Sequence, residues 1–315
     1  MRALEAAPPS TAGLTKRKVG APISLTLASG ELILTVNSVG AISSLTDTGG
    51  RAWAADSSLL WLRYSLITNK QMADYRATYC TGNFIPGDAH CGEGTYGKPG
   101  MPGNTSLLAN ATVRGVYSSE AAGVLLVELG WAKQLHDNYG APESTWLKVS
   151  VGADGVSLDA QVLLVEKTST RMMEAMFLTF APSRNCDWSM DKLGEFVGAK
   201  DVMMGGSGGV SSIGSGVMCS LNGTAVDGKQ QQRMFVRSLD SAVVHWGSDT
   251  AGPSMLPTGQ GQGAAPWTQS EADVSAGAHC VLFDNLWNTN YIFWWPYLKS
   301  TSAANIVYRF RLEFA

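Results

Sequence analysis

The stretch Leu147-Lys148-Val149-Ser150-Val151-Gly152-Ala153-Asp154-Gly155-Val156-Ser157-Leu158-Asp159-Ala160-Gln161-Val162-Leu163-Leu164 decides the fold class. Leu147, Val149 and Val151 alternate with Lys148 and Ser150. Beyond the turn Ala153-Asp154-Gly155, Val156, Leu158, Ala160, Val162 and Leu164 alternate with Ser157, Asp159, Gln161 and Leu163. Successive side chains of a strand point to opposite faces, so this period of two predicts a hairpin with one wet and one buried face.

The same pattern recurs on both sides. Ser24–Leu27 and Glu31–Asn37 flank Ala28-Ser29-Gly30 as a second hairpin, and Gly40–Leu45 faces Arg51-Ala52-Trp53 across Asp47-Thr48-Gly49-Gly50 as a third. Val124–Trp131 is an apolar run of strand length, interrupted by Glu128 and suited to a strand covered on both faces. The chain ends on a strand, with Ile306, Tyr308, Phe310, Leu312 and Phe314 on one face and Val307, Arg309, Arg311 and Glu313 on the other. Helical signal is sparse. Asp187–Gly194 reads as one or two helical turns with Asp187 as N-cap. The expectation is an all-β chain with few short helices: a tail over residues 1–22, then one large domain over 23–315.

Composition agrees. Charged residues are 16% of the 315, against a usual share of roughly 25%, while 45% are hydrophobic and 35 are glycine. A disordered chain would be richer in charge and poorer in core residues. The net charge of −3 argues against a nucleic-acid partner, which calls for a basic surface. No apolar stretch reaches the length of a membrane-crossing helix, and Met1–Lys18 lacks the apolar core of a secretory signal.

Chemistry-bearing motifs are few. His90, His136, His245 and His279 are scattered without a zinc spacing, and no G-x-S-x-G elbow occurs, so neither metal, cofactor nor catalytic residue is assigned. The Gly-rich stretches 205–216 and 252–263 lack the Lys-Ser/Thr of a phosphate loop and read as surface loops. Asp74, Asp88 and Glu93 lie in or beside the irregular region 70–104 and read as solvated acids. Of the five cysteines, Cys80 and Cys91 bracket a Gly/Pro loop that a local disulfide could close; the alternative is five buried thiols. Asn104, Asn110 and Asn222 each open a glycosylation sequon.

The segment after Phe283 is the most informative for function. Ten of the 28 aromatic residues fall between Val281 and Ala315. Asn285, Trp287, Asn288, Asn290, Trp294, Trp295 and Tyr297 combine flat rings with amides. Rings stack on pyranose C–H faces while amides bond hydroxyls, so these seven are the candidate glycan-binding residues. The competing reading is that the rings fill or cover a sandwich.

Leu282-Phe283-Asp284-Asn285-Leu286-Trp287-Asn288-Thr289-Asn290-Tyr291, with Trp294 and the closing Arg309-Phe310-Arg311-Leu312, resembles the C-terminus of family 38-like glycoside hydrolases, most nearly the group called domain of unknown function 5054. Lys167-Thr168-Ser169-Thr170-Arg171-Met172-Met173-Glu174-Ala175, Met190-Asp191-Lys192-Leu193-Gly194 and Gly40-Ala41-Ile42-Ser43-Ser44-Leu45 resemble further motifs of that group, in order along nearly the whole chain. Asn288 and Ile292 depart from it, standing where the group has Gly and Pro.

The resemblance implies a large two-sheet antiparallel β-supersandwich, similar to galactose mutarotases, that sits behind a catalytic barrel. No position here matches that barrel's zinc ligands or nucleophile. The expected function is therefore a carbohydrate-associated accessory module, with a glycan, the catalytic barrel or another protein as partner. The chain is expected to be the downstream part of a longer protein, in the secretory pathway or outside the cell. The alternatives are an autonomous mutarotase-like sugar enzyme, with His136 or His245 as acid, and an interaction subunit of a larger assembly.

Overall fold

A computed structural model describes residues 7–68, 70, 106–168, 170, 173–182, 186–192, 194–198, 211–213, 216–221, 232–246, 277–284 and 304–315. It forms two antiparallel sheets. The first contains β1 (Thr15–Arg17), β7 (Thr112–Ser119), β8 (Val124–Gly130), β9 (Ser144–Val151), β10 (Leu158–Lys167), β12 (Cys186–Lys192), β13 (Glu195–Gly198), β15 (Gly216–Leu221), β16 (Arg233–Ser238) and β19 (Ala304–Phe314). The second contains β2 (Ile23–Leu27), β3 (Gly30–Val36), β4 (Ile42–Asp47), β5 (Ala52–Leu66), β6 (Leu107–Asn110), β11 (Glu174–Ala181), β14 (Ser211–Ile213), β17 (Val243–Trp246) and β18 (Ala278–Asp284).

The order of the first sheet is β1-β7-β8-β9-β10-β19-β16-β15-β12-β13. That of the second is β14-β17-β18-β11-β5-β4-β3-β2, with β6 also paired to β5. The hairpin that decides the fold class lies at the middle of the first sheet. Val149 stands opposite Ala160 and Leu147 opposite Val162, all fully buried, with Lys148 and Gln161 on the outward face. Its turn is held by Asp154, whose Oδ1 accepts from Val156 N and Ser157 N at 3.0 Å each, while Gly155 supplies the left-handed φ of 71°.

The C-terminal strand β19 lies between β10 and β16, paired to β10 from Ala304 to Leu312 and to β16 from Phe310 to Phe314. Tyr308, Phe310 and Leu312 enter the core between the sheets. Facing them from the second sheet is Phe180, its ring centroid 6.4 Å from that of Phe310. Burying one such ring stabilises the fold by about 2–3 kcal/mol. The apolar run in β8 buries Leu125, Leu126, Val127 and Leu129, as a strand with neighbours on both sides should.

Two readings of the sequence change. Residues 187–192, expected as helix, are extended: Cys186–Lys192 is strand β12, and Asp191 Oδ1 accepts from Gly194 N at 2.7 Å on the way to β13. Cys186, Trp188 and Met190 are buried at a spacing of two, and that inward stripe outweighs the Asp187 capping signal. Helix α1 spans Lys133–Tyr139; it has no side-chain N-cap bond and closes on Gly140 at φ 80°. Within the first 22 residues, Thr15–Arg17 pairs with β7 as β1.

The described residues hold one disulfide, Cys186–Cys219, across neighbouring strands β12 and β15. Cys80 and Cys91 lie outside the described residues. Cys280 is a buried thiol.

Candidate functional site

Strands β17, β18, β11 and β5 turn one face to the core and the other away from it. Met176, Leu178 and Phe180 of β11 point inward with Leu62 and Tyr64 of β5. The alternate residues therefore share the outward face. There the registers assemble a polar row: His245 stands opposite His279, His279 opposite Thr179, and Thr179 opposite Trp61. In the next row Val281 faces Phe177, Phe177 faces Arg63, and Arg63 faces Asn110 of β6. A third row aligns Asp284, Ala175 and Ser65.

A bulge brings Asp284 into this set. Met176 pairs with Phe283 and Phe177 with Val281, which leaves Leu282 as an extra residue. The extra residue reverses the alternation, so Phe283 enters the core while Asp284 joins the outward rows.

The outward face is polar yet shielded. His279, Thr179 and Asp284 are fully buried, and Arg63 and His245 nearly so. The two imidazole centroids are 6.1 Å apart. Thr179 Oγ1 lies 2.9 Å from His279 Nδ1, a bond that fixes the ring's orientation. Burial holds His245 down to about 4, so it is neutral near pH 7. The Arg63 guanidinium carbon lies 3.4 Å from the Trp61 ring centroid, a stacked cation and ring. Trp61 Nε1 is a buried donor that meets no acceptor among the described residues. These registers bring imidazole, hydroxyl, carboxyl and guanidinium side chains and a flat ring together within adjoining rows.

On the core side of the same strands lies a buried ionic network. Lys167 Nζ donates to Glu174 Oε1 at 2.7 Å and to the Thr168 carbonyl at 2.9 Å. Thr170 Oγ1 donates to Glu174 Oε1 at 2.6 Å, and the Tyr64 hydroxyl lies 2.5 Å from Glu174 Oε2. Lys167 Nζ is also 5.1 Å from the Phe283 ring centroid. Burial pulls the Lys167 ammonium below its usual range against the pull of Glu174. Burial first, then the Glu174 charge, pushes the Tyr64 phenol well above its own.

The sequence-predicted glycan residues Asn285, Trp287, Asn288, Asn290, Trp294, Trp295 and Tyr297 lie outside the described residues, as do Asn104 and Asn222. Their segment begins directly after Asp284, the last residue of β18. Asn110 is exposed at the end of β6. His136 serves α1 instead of the outward face: its Nδ1 lies 2.7 Å from the Ala141 carbonyl just past the helix end. Among the described residues no cluster of three or more metal-ligating side chains occurs. No helix in the described residues is long and apolar enough to cross a membrane.

Sequence reasoning named His245 but missed its partners. Arg63 and His279 each interrupt an otherwise apolar stretch, Leu59–Tyr64 and Ala278–Phe283, and that interruption was the available signal.

No family model matches the chain, and no curated protein matches it. Solved structures do. An α-mannosidase from Enterococcus faecalis aligns at 8% identity over 98% of this chain and 30% of its own, with a TM-score of 0.48. A galactose mutarotase-like protein from Lactobacillus casei aligns at 9% identity over 94% of this chain and all of its own, with a TM-score of 0.45. Another from Clostridium acetobutylicum aligns at 12% identity over 96% and 98%, with a TM-score of 0.38. The chain thus spans less than a third of the mannosidase it matches. At identities and TM-scores this low, function is read from the side chains rather than from the likeness.

Proposed function

We propose that this chain is a carbohydrate-associated sandwich module, an accessory to a glycoside-hydrolase-like catalytic domain, that holds a sugar against the outward face of its second sheet. The observation that carries the reading is the cross-strand set His245, His279, Thr179 and Trp61, flanked by Arg63 and Asp284. The half-buried Trp61 ring offers a stacking surface on that face, backed by the buried imidazoles, hydroxyl and carboxyl of the same set. The sequence motifs around Lys167–Ala175 and Leu282–Tyr291 support the same reading, because they resemble the C-terminal region of family 38-like glycoside hydrolases.

The segment bearing Trp287 and Trp294 follows immediately on Asp284, so we assign it to the same ligand. The test is retention on immobilised polysaccharides. Wild-type protein is retained, and Trp287→Ala or Trp294→Ala abolishes retention. A folded wild-type protein that passes through every such column contradicts the reading.

A second reading, an autonomous mutarotase-like enzyme, is favoured by one observation: two imidazoles side by side, one held neutral near pH 7. A neutral imidazole can take a proton from an anomeric hydroxyl. Anomer exchange of galactose or glucose followed by NMR separates the two readings. Acceleration over buffer that His279→Gln removes supports the enzyme, and a rate equal to buffer rules it out.

A further inference from the structure

We propose that Asn110 is an N-glycosylation site, and that the chain matures in a compartment where glycans are added and disulfides form. Asn110-Ala111-Thr112 is an acceptor sequence, but the sequence alone does not distinguish it from a chance match. The fold adds the geometry. Asn110 ends β6 in the second sheet and Thr112 opens β7 in the first, so the triplet is the corner where the chain changes sheets. Ala111 between them is buried and pins the corner, while Asn110 and Thr112 are both exposed. The acceptor amide and the hydroxyl two residues on are thus both open to solvent, and a glycan there needs no rearrangement of the folded chain.

A second observation, in another part of the fold, points to the same compartment. Cys186 and Cys219 sit on neighbouring strands with Cα atoms 5.1 Å apart, both in the core, and are joined. Such bonds form and persist in oxidising compartments. Cys280 does not compete for them: it is buried, and burial pushes its thiol up to about 12.

The modification is a glycosyl transfer. The donor is an oligosaccharide linked through pyrophosphate to a lipid. A bond forms between Asn110 Nδ2 and the first sugar's anomeric carbon, and the bond from that carbon to the pyrophosphate oxygen breaks. The lipid pyrophosphate leaves with the electron pair, and the amide nitrogen gives one proton to a base of the transferase.

Asn110 stands opposite Arg63 in the ladder, so the glycan roots at the open end of the second outward row. The modification does not depend on what that face binds.

The test is peptide mapping of the full chain isolated from its native source, without reduction. Amide-cleaving N-glycosidase in heavy-oxygen water should release glycan and leave a labelled aspartate at position 110. Thr112→Ser keeps the modification, whereas Thr112→Ala and Asn110→Gln lose it. A peptide linking Cys186 to Cys219 should appear in the same map. An Asn110 peptide that is wholly unmodified in the native protein overturns the site, whatever the variants do. Cys186 and Cys219 recovered as free thiols overturn the compartment.

Discussion

Lys167 Nζ and Glu174 Oε1 are 2.7 Å apart with both side chains fully buried, and they join the last residue of β10 in the first sheet to the first residue of β11 in the second. The pair thus clamps the crossover over residues 168–173. Removing one partner strands a buried charge at a cost of about 3–5 kcal/mol, whereas replacing both with apolar groups is far milder. Lys167→Met and Glu174→Gln should each lower stability by that amount in denaturant unfolding, and Lys167→Met with Glu174→Leu should recover most of it. Single losses under 1 kcal/mol would contradict the clamp.

Acid should expose the outward face. His245 has a folded value of about 4, below its ordinary 6.5, because burial disfavours the imidazolium. A depressed value contributes stability above pH 6.5 that is lost as the pH falls through about 4. The gap converts to about 3 kcal/mol. In His245→Gln, the fall in unfolding free energy between pH 6.5 and 4 should be smaller than in wild type by that amount. An identical pH profile would contradict it.

Alkali should act through two phenols. Burial first, then Glu174, raises Tyr64, and burial first, then Asp240, raises Tyr308. Raised values give stability that is intact below the ordinary 10 and lost as the pH climbs through the folded values. Ultraviolet difference titration should find these two phenols protonated well above pH 10, ionising only as the chain unfolds. Tyr64→Phe and Tyr308→Phe should each remove one late-titrating phenol. Ordinary titration of every tyrosine would contradict the burial.

The Cys186–Cys219 bond closes a loop between residues 33 apart. Cross-linking a loop of that length stabilises a fold by about 3–4 kcal/mol in the chain-entropy model. Cys186→Ala with Cys219→Ala should lower the unfolding free energy by a similar amount. Reducing agent should destabilise wild type and leave the double variant unchanged.

Hairpins were legible because their evidence is local. The alternation in 147–164 and the Ala28-Ser29-Gly30 turn carry both partners of each ladder within a few residues. β12 was misread because Asp187 mimics a helix cap, and the inward stripe of Cys186, Trp188 and Met190 is too short to declare its period. The outward face was out of reach for a different reason. Thr179 and His279 are 100 residues apart in the chain, and each strand contributes only one or two polar residues, so the site exists only after pairing. Asp284 was harder still, since a single bulge decides which face it takes.

The central claim is that the outward face of the second sheet and the segment after it hold a sugar. Saturation-transfer NMR on the full chain with mannose, galactose and glucose pyranosides tests it most directly. At least one pyranoside should receive transfer from the protein, and His279→Gln and Trp287→Ala should each weaken it at least tenfold while the fold persists. No transfer to any of the three from a folded wild-type chain would contradict the account.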